Sequence, residues 1–381
     1  MCVVAMMGCV SEGVVGLTHA ESDAARRREA SVPVDALVDA AAPDASIADS
    51  APDGAPDVGL PPDAALPDMA EPVDAAPDMA PDAGAPLCTP PVACEGVAGE
   101  AGFEQVLDFA PNPAFLRMYR YSPAGLEAGA PMVVVLHGCG QPVADARLAG
   151  WDTLAETYGF HVLYPEHPQL CWHWAVVLDR PNEVDSLVAM LERMSADRAV
   201  DPARRFLAAF GAGGAQAMVL LAEAPGTFEA VATVAAVPYD CGQAASQAFC
   251  LSGQVDLTPA EWADQVRAAG GPGNPVPRLS SWHATADLNI SPTNQRELLE
   301  QWLVLHGIEA APEACDASEG QTRRVWRDAD GRAAVEAWTI DTVAHGVFVD
   351  PASGCGAVSA NHPDVGVPFA AHAASFFGLG P

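Results

Sequence analysis

The stretch FLAAFGAGGAQA, residues 206–217, reads as a buried strand, a tight turn and the first turns of a helix. Its small residues carry the reading. A strand that turns into a helix this sharply brings backbone against backbone, so side chains on either side of the turn would collide. Ala209, Gly211 and Gly213 meet that demand in the spacing G-x-S-x-G, with Gly211 at the position where a nucleophilic serine belongs. A phosphate-cradling turn is the competing reading. GAGGAQ, however, falls too late in the chain for a dinucleotide fold and lacks the third glycine of G-x-G-x-x-G.

Outward from this turn, short apolar runs alternate with amphipathic segments, which predicts an α/β fold: a mainly parallel central sheet with helices on both faces. PMVVVLHG (131–138), GFHVLYPE (159–166), RFLAAF (205–210), FEAVATVAAV (228–237) and RLSSWHAT (278–285) read as buried strands. NEVDSLVAMLERM reads as a helix with Val184, Leu187, Val188, Leu191 and Met194 on one face and Asn182 as its cap. QTRRVWRDADGRAAVEAWTI contains two alternating runs joined at Asp330-Gly331, a hairpin near the sheet edge.

Composition divides the 381 residues into three parts. Residues 1–29 contain MCVVAMMGC, whose Met-Gly-Cys ending marks Cys9 as a candidate for lipidation after an export signal, although the apolar run is short and has no positive start. Residues 30–87 hold twelve acids, eleven prolines and no Lys or Arg, too little apolar bulk to offset ordering entropy, and read as a disordered linker. Residues 88–381 hold the folded domain. With 34 acids against 15 Arg it repels polyphosphate, which argues against nucleic acid as a partner. The sequence contains no Lys, which excludes Schiff-base chemistry and a Walker loop.

Eight cysteines lie beyond Cys9: Cys88, Cys94, Cys139, Cys171, Cys241, Cys250, Cys315 and Cys355. An even number in an exported chain predicts disulfides, with the pairing open. Proximity favours Cys88 with Cys94 and Cys241 with Cys250. A zinc site is the weaker reading because no CxxC occurs, and neither metal nor cofactor is expected.

An acid and then a histidine after the elbow would complete a Ser-His-Asp order. Asp287 follows the predicted strand RLSSWHAT, and His345 follows the second strand of the hairpin. HGCGQ (137–141), GWDTLAETYGFHVLYPE (150–166), CWHW (171–174), VDPARRFLAAFGAGG (200–214), WHATADLNISPTN (282–294) and AHGVFVDPASGCG resemble, in this order, the poly(3-hydroxybutyrate) depolymerase-like esterases, which include feruloyl and acetyl ester hydrolases. The resemblance covers about residues 103–379.

It implies an α/β-hydrolase fold and a carboxylic ester hydrolase acting on a small-molecule or polymeric ester; the export reading of the N-terminal stretch puts it outside the cell or in the envelope, with membrane attachment only through a lipid anchor. It also implies Asp287 and His345 as triad acid and base, the backbone N–H groups of Cys139 and Ala212 as oxyanion donors, and a Cys139–Cys171 disulfide. Trp172 and Trp174 would line the substrate pocket, and His137 would be a packing residue. The departure is Gly211: without a hydroxyl no acyl-enzyme forms there, and what remains is a pseudoenzyme that binds an ester or acylated polysaccharide, or slow attack by a water activated by His345.

Overall fold

A computed structural model describes Cys94 and residues 102–175, 182–244, 246–318 and 320–380. The expected signal, Cys9, Cys88 and the linker lie outside the described residues. A single ten-stranded sheet organises the domain. Its strands in chain order are β1 (Phe103–Val106), β2 (Arg117–Tyr121), β3 (Met132–Leu136), β4 (His161–Glu166), β5 (Arg205–Phe210), β6 (Ala230–Val234), β7 (Arg278–Ala284), β8 (Glu313–Ser318), β9 (Gln321–Arg327) and β10 (Ala333–Ile340).

Across the sheet the order is β1-β2-β4-β3-β5-β6-β7-β10-β9-β8. The six central strands from β4 to β10 run parallel. Antiparallel strands close both ends: β2 on β4 and β1 on β2 at one, β9 on β10 and β8 on β9 at the other. The predicted hairpin is therefore β9–β10. It lies near the sheet edge as expected: its second strand also pairs with β7 and joins the parallel core, and β8 beyond β9 forms the edge itself.

All five expected strands are present, and β3, β4, β6 and β7 are buried along their whole lengths. Continuous burial is what helices on both faces impose, and it explains why these segments read as unbroken apolar runs. The helices are α1 (Val143–Arg147), α2 (Trp151–Tyr158), α3 (Glu183–Arg198), α4 (Ala212–Glu223), α5 (Cys241–Ala244), α6 (Gln247–Leu251), α7 (Pro259–Ala268), α8 (Thr293–His306) and α9 (Phe369–Phe377). Helix α3 starts where expected, with the Asn182 side chain accepting from the Asp185 N–H at 3.2 Å. Large aromatics fill the layers: Trp282 of β7 stacks on Trp338 of β10 at 4.4 Å, and Phe377 of α9 on Phe206 of β5 at 4.9 Å. No helix among the described residues is long and apolar enough to cross a membrane.

Among the described residues three disulfides staple this frame: Cys94–Cys355, Cys139–Cys171 and Cys241–Cys250. The last two agree with expectation. The first corrects the pairing of Cys94 with Cys88. Sequence proximity misleads here because the backbone of Cys94 is hydrogen-bonded into the loop before Cys355, its N–H reaching the Ser353 carbonyl at 3.2 Å, and its carbonyl lies against Gly354.

Cross-linking residues this far apart in sequence restricts the unfolded chain strongly. Replacing Cys94 and Cys355 together with Ser should lower unfolding stability by about 2–5 kcal/mol, read as a reduced midpoint in urea titrations.

Candidate active site

The parallel strands end on one edge of the sheet, and the loops that leave them bring the expected residues together, as crevices outside carboxyl ends of parallel strands do in α/β proteins. β5 runs straight into α4 through Gly211, whose backbone adopts φ 55° and ψ −120°. The Gly211 N–H is anchored on the Val234 carbonyl at 2.9 Å. Steric demand is highest two residues on: a Cβ at Gly213 would lie 2.4 Å from the His137 carbonyl oxygen and 2.6 Å from that of Leu136. Glycine is obligatory there because α4 starts directly against the end of β3.

Asp287, just beyond β7, is buried. Its Oδ1 accepts from the N–H groups of Asn289 and Ile290, both at 2.9 Å. That leaves Oδ2 for His345 Nδ1, at 2.6 Å. Burial works to raise the Asp287 pKa, but the His345 hydrogen bond, the Ile290 amide and the charges of two nearby imidazoles outweigh it and hold the carboxyl below the usual range. The second imidazole, His283, donates from Nε2 to the Ile290 carbonyl at 2.9 Å, and burial depresses its pKa.

His345 lies beyond β10 with 17% of its side chain exposed. Its Nδ1 is fixed by the aspartate, and its Nε2 faces the elbow: a Cβ built on Gly211 would sit 3.2 Å from Nε2. The Phe210 ring covers the imidazole at 4.6 Å between centroids. Gly211 thus occupies the point toward which an Asp–His pair is aimed.

Across the elbow lies the HGCG turn. The His137 ring is buried and serves the turn's shape, its Nδ1 bonded to the Gly138 carbonyl at 2.8 Å and its Nε2 accepting from the His167 N–H at 3.0 Å. Burial depresses its pKa. The Gly138 N–H is taken by Gln141 Oε1 at 2.7 Å and that of Gly140 by the Leu170 carbonyl at 2.6 Å. Among the described residues the N–H groups of Cys139 and Ala212 donate to no protein group, and both residues border the cleft beside Gly211 and His345.

That cleft encloses about 770 Å³, part of it open to solvent, with Trp174, Phe210, Leu251 and Ile290 as apolar walls and Gln247, Asn289 and Asn361 as polar groups. Of the two tryptophans expected in it, Trp174 lines it and Trp172 does not. The Trp172 indole N–H donates to the His137 carbonyl at 2.9 Å and its ring packs between His137 and His167, so it braces the turn from behind. Gln247 and Asn361 escaped the sequence reading because they come from a short helix and a late loop with no motif of their own. Asn289 stood two residues from Asp287 and was within reach of it.

A mainly parallel sheet, an elbow at the end of its fifth strand and an acid–histidine pair on the following strand ends define an α/β hydrolase. Residues 116–325, over half of the chain, match the family model described as esterase PHB depolymerase, and the chain belongs to that family. It is 35% identical over 288 residues to poly(3-hydroxyalkanoate) depolymerase C of Paucimonas lemoignei, covering 72% of this chain and 70% of the relative. It is 30% identical over 276 residues to an acetylxylan esterase of Coprinopsis cinerea, covering 68% and 72%. An acetyl xylan esterase from Aspergillus awamori has the same fold, with a TM-score of 0.60 over 73% of this chain and 99% of the other at 22% identity.

The elbow conformation is one that glycine adopts freely and side chains resist. Gly211→Ala should therefore cost about 1–3 kcal/mol in chemical denaturation, since its Cβ meets both a positive φ and the His345 ring.

Proposed function

We propose that this chain is an exported member of the carboxylic ester hydrolases whose cleft still receives an ester but whose serine-nucleophile turnover is lost. The observation that carries the reading is Gly211 at the focus of an Asp–His pair at 2.6 Å, with Nε2 aimed at a carbon that bears no hydroxyl. Removing a triad serine typically lowers turnover by about 10⁶-fold, while oxyanion stabilisation and binding survive. Asp287 and His345 keep the roles of acid and base in this reading, and the Cys139 and Ala212 N–H groups those of oxyanion donors.

A non-catalytic role, binding an ester or acylated polysaccharide at the cell surface, is favoured by the retained cleft with its apolar walls and three amide side chains. The relatives, a poly(3-hydroxyalkanoate) depolymerase and an acetylxylan esterase, give the substrate classes to try first. Three disulfides support an oxidising compartment, outside the cell or in its envelope. In this reading Cys9 carries a lipid anchor, and residues 30–87 form the linker between anchor and domain.

On p-nitrophenyl butyrate the wild-type chain should give at most trace turnover and resist a fluorophosphonate probe, whereas Gly211→Ser should hydrolyse the ester and take the label at residue 211. Wild-type turnover at the rate of an ordinary serine esterase, or a probe adduct on another serine, would overturn the loss of function. A folded but inert Gly211→Ser would overturn the roles given to Asp287, His345 and the oxyanion donors. With Gly211→Ser active, Asp287→Asn in that background should lower kcat by roughly 10⁴-fold, because the wrong histidine tautomer is then held.

A further inference from the structure

Behind the oxyanion turn, three side chains that the ester chemistry does not use converge on one point. Glu183, the first residue of α3, is fully buried, and its partners among the described residues are two imidazoles and one backbone N–H. His167 Nε2 stands 3.2 Å and His173 Nδ1 3.0 Å from the same oxygen, Oε1. One ligand atom from each of the three lies within 4.8 Å of the other two.

We propose that His167, His173 and Glu183 bind one divalent transition-metal ion of the zinc class, which locks the loop behind the oxyanion turn. Two imidazoles and a carboxylate are a zinc donor set, leaving a fourth position for water. At metal–ligand bonds of about 2.0–2.1 Å, neighbouring ligands of a tetrahedral ion stand about 3.3 Å apart, close to the two nitrogen–oxygen separations already present. The remaining pair, His167 with His173, closes by rotation of His173, whose side chain is 37% exposed and gives the ion its way in. Oxygen and nitrogen donors of this kind disfavour Mg²⁺ and Ca²⁺, which take all-oxygen shells.

The ion would take the place of the two ring protons now shared with Glu183. His167 Nδ1 accepts from the Gln169 N–H at 3.1 Å, which puts the ring proton on Nε2, pointing at the carboxylate. On ligation that proton moves to Nδ1 and the Gln169 contact opens, one turn hydrogen bond exchanged for a coordinate bond. The ion then grips both ends of the segment that holds Cys171 and Trp172. Cys171 is bonded to Cys139, Trp172 donates to the His137 carbonyl, and the His167 N–H donates to His137 Nε2. Each of these links leads to the HGCG turn, so metal occupancy would stiffen that turn without touching the ester.

The test uses the full chain, stripped with a chelator and titrated with Zn²⁺ by calorimetry and with Co²⁺ by visible absorption. One ion per chain is expected, with the intense d–d bands of tetrahedral cobalt and no thiolate charge transfer. Zn²⁺ should raise the melting temperature of the wild type. His173→Ala, at a half-exposed position that should not disturb folding, should bind at least about tenfold more weakly and lose the thermal shift, and Glu183→Gln should behave alike. His362→Ala, a histidine outside the cluster, should bind as wild type does. Absence of a stoichiometric site, or equal binding by wild type and His173→Ala, would overturn the proposal, the latter outcome placing the ion on carboxylates elsewhere.

Discussion

The close approach of α4 to the end of β3 sets the rest of the site. A helix that begins within one residue of a strand's end, against the carbonyls of Leu136 and His137, admits no side chain at position 213 and forces the left-handed turn at 211. That packing belongs to the core, not to catalysis. The turn is thus held by contacts that are indifferent to which atom residue 211 offers the cleft. The Asp287–His345 pair is likewise held by backbone amides and ring packing, with no bond to residue 211 among them.

Most of this architecture is legible in the sequence, for physical reasons that differ from element to element. Buried parallel strands announce themselves as continuous apolar runs because both faces are covered, and RFLAAF and MVVVL are therefore read without ambiguity. The Asn182 cap is local chemistry. β1, β2 and β8 escape because they are short antiparallel strands whose polar and charged residues interrupt the apolar runs, and their order in the sheet depends on partners far away.

At the site, the order elbow, acid, histidine places Gly211, Asp287 and His345, since each sits at the end of a recognisable strand. Trp172 and Trp174 show the limit of such reading. Two residues apart on one loop, one lines the cleft and the other braces the HGCG turn, and only tertiary packing decides which does which. Cys94 shows the same limit for covalent bonds: its partner is 261 positions away, and nothing local selects it.

That distant bond also decides how the domain would respond to mechanical load. Cys94 precedes the first strand, and any pull applied through the N-terminal side of the chain reaches it before reaching β1. The disulfide hands the force to Cys355, which is buried beside the loop that leads into α9. β1, an edge strand held to the sheet by one neighbour, is spared from being peeled away, and the load bypasses that border of the sheet.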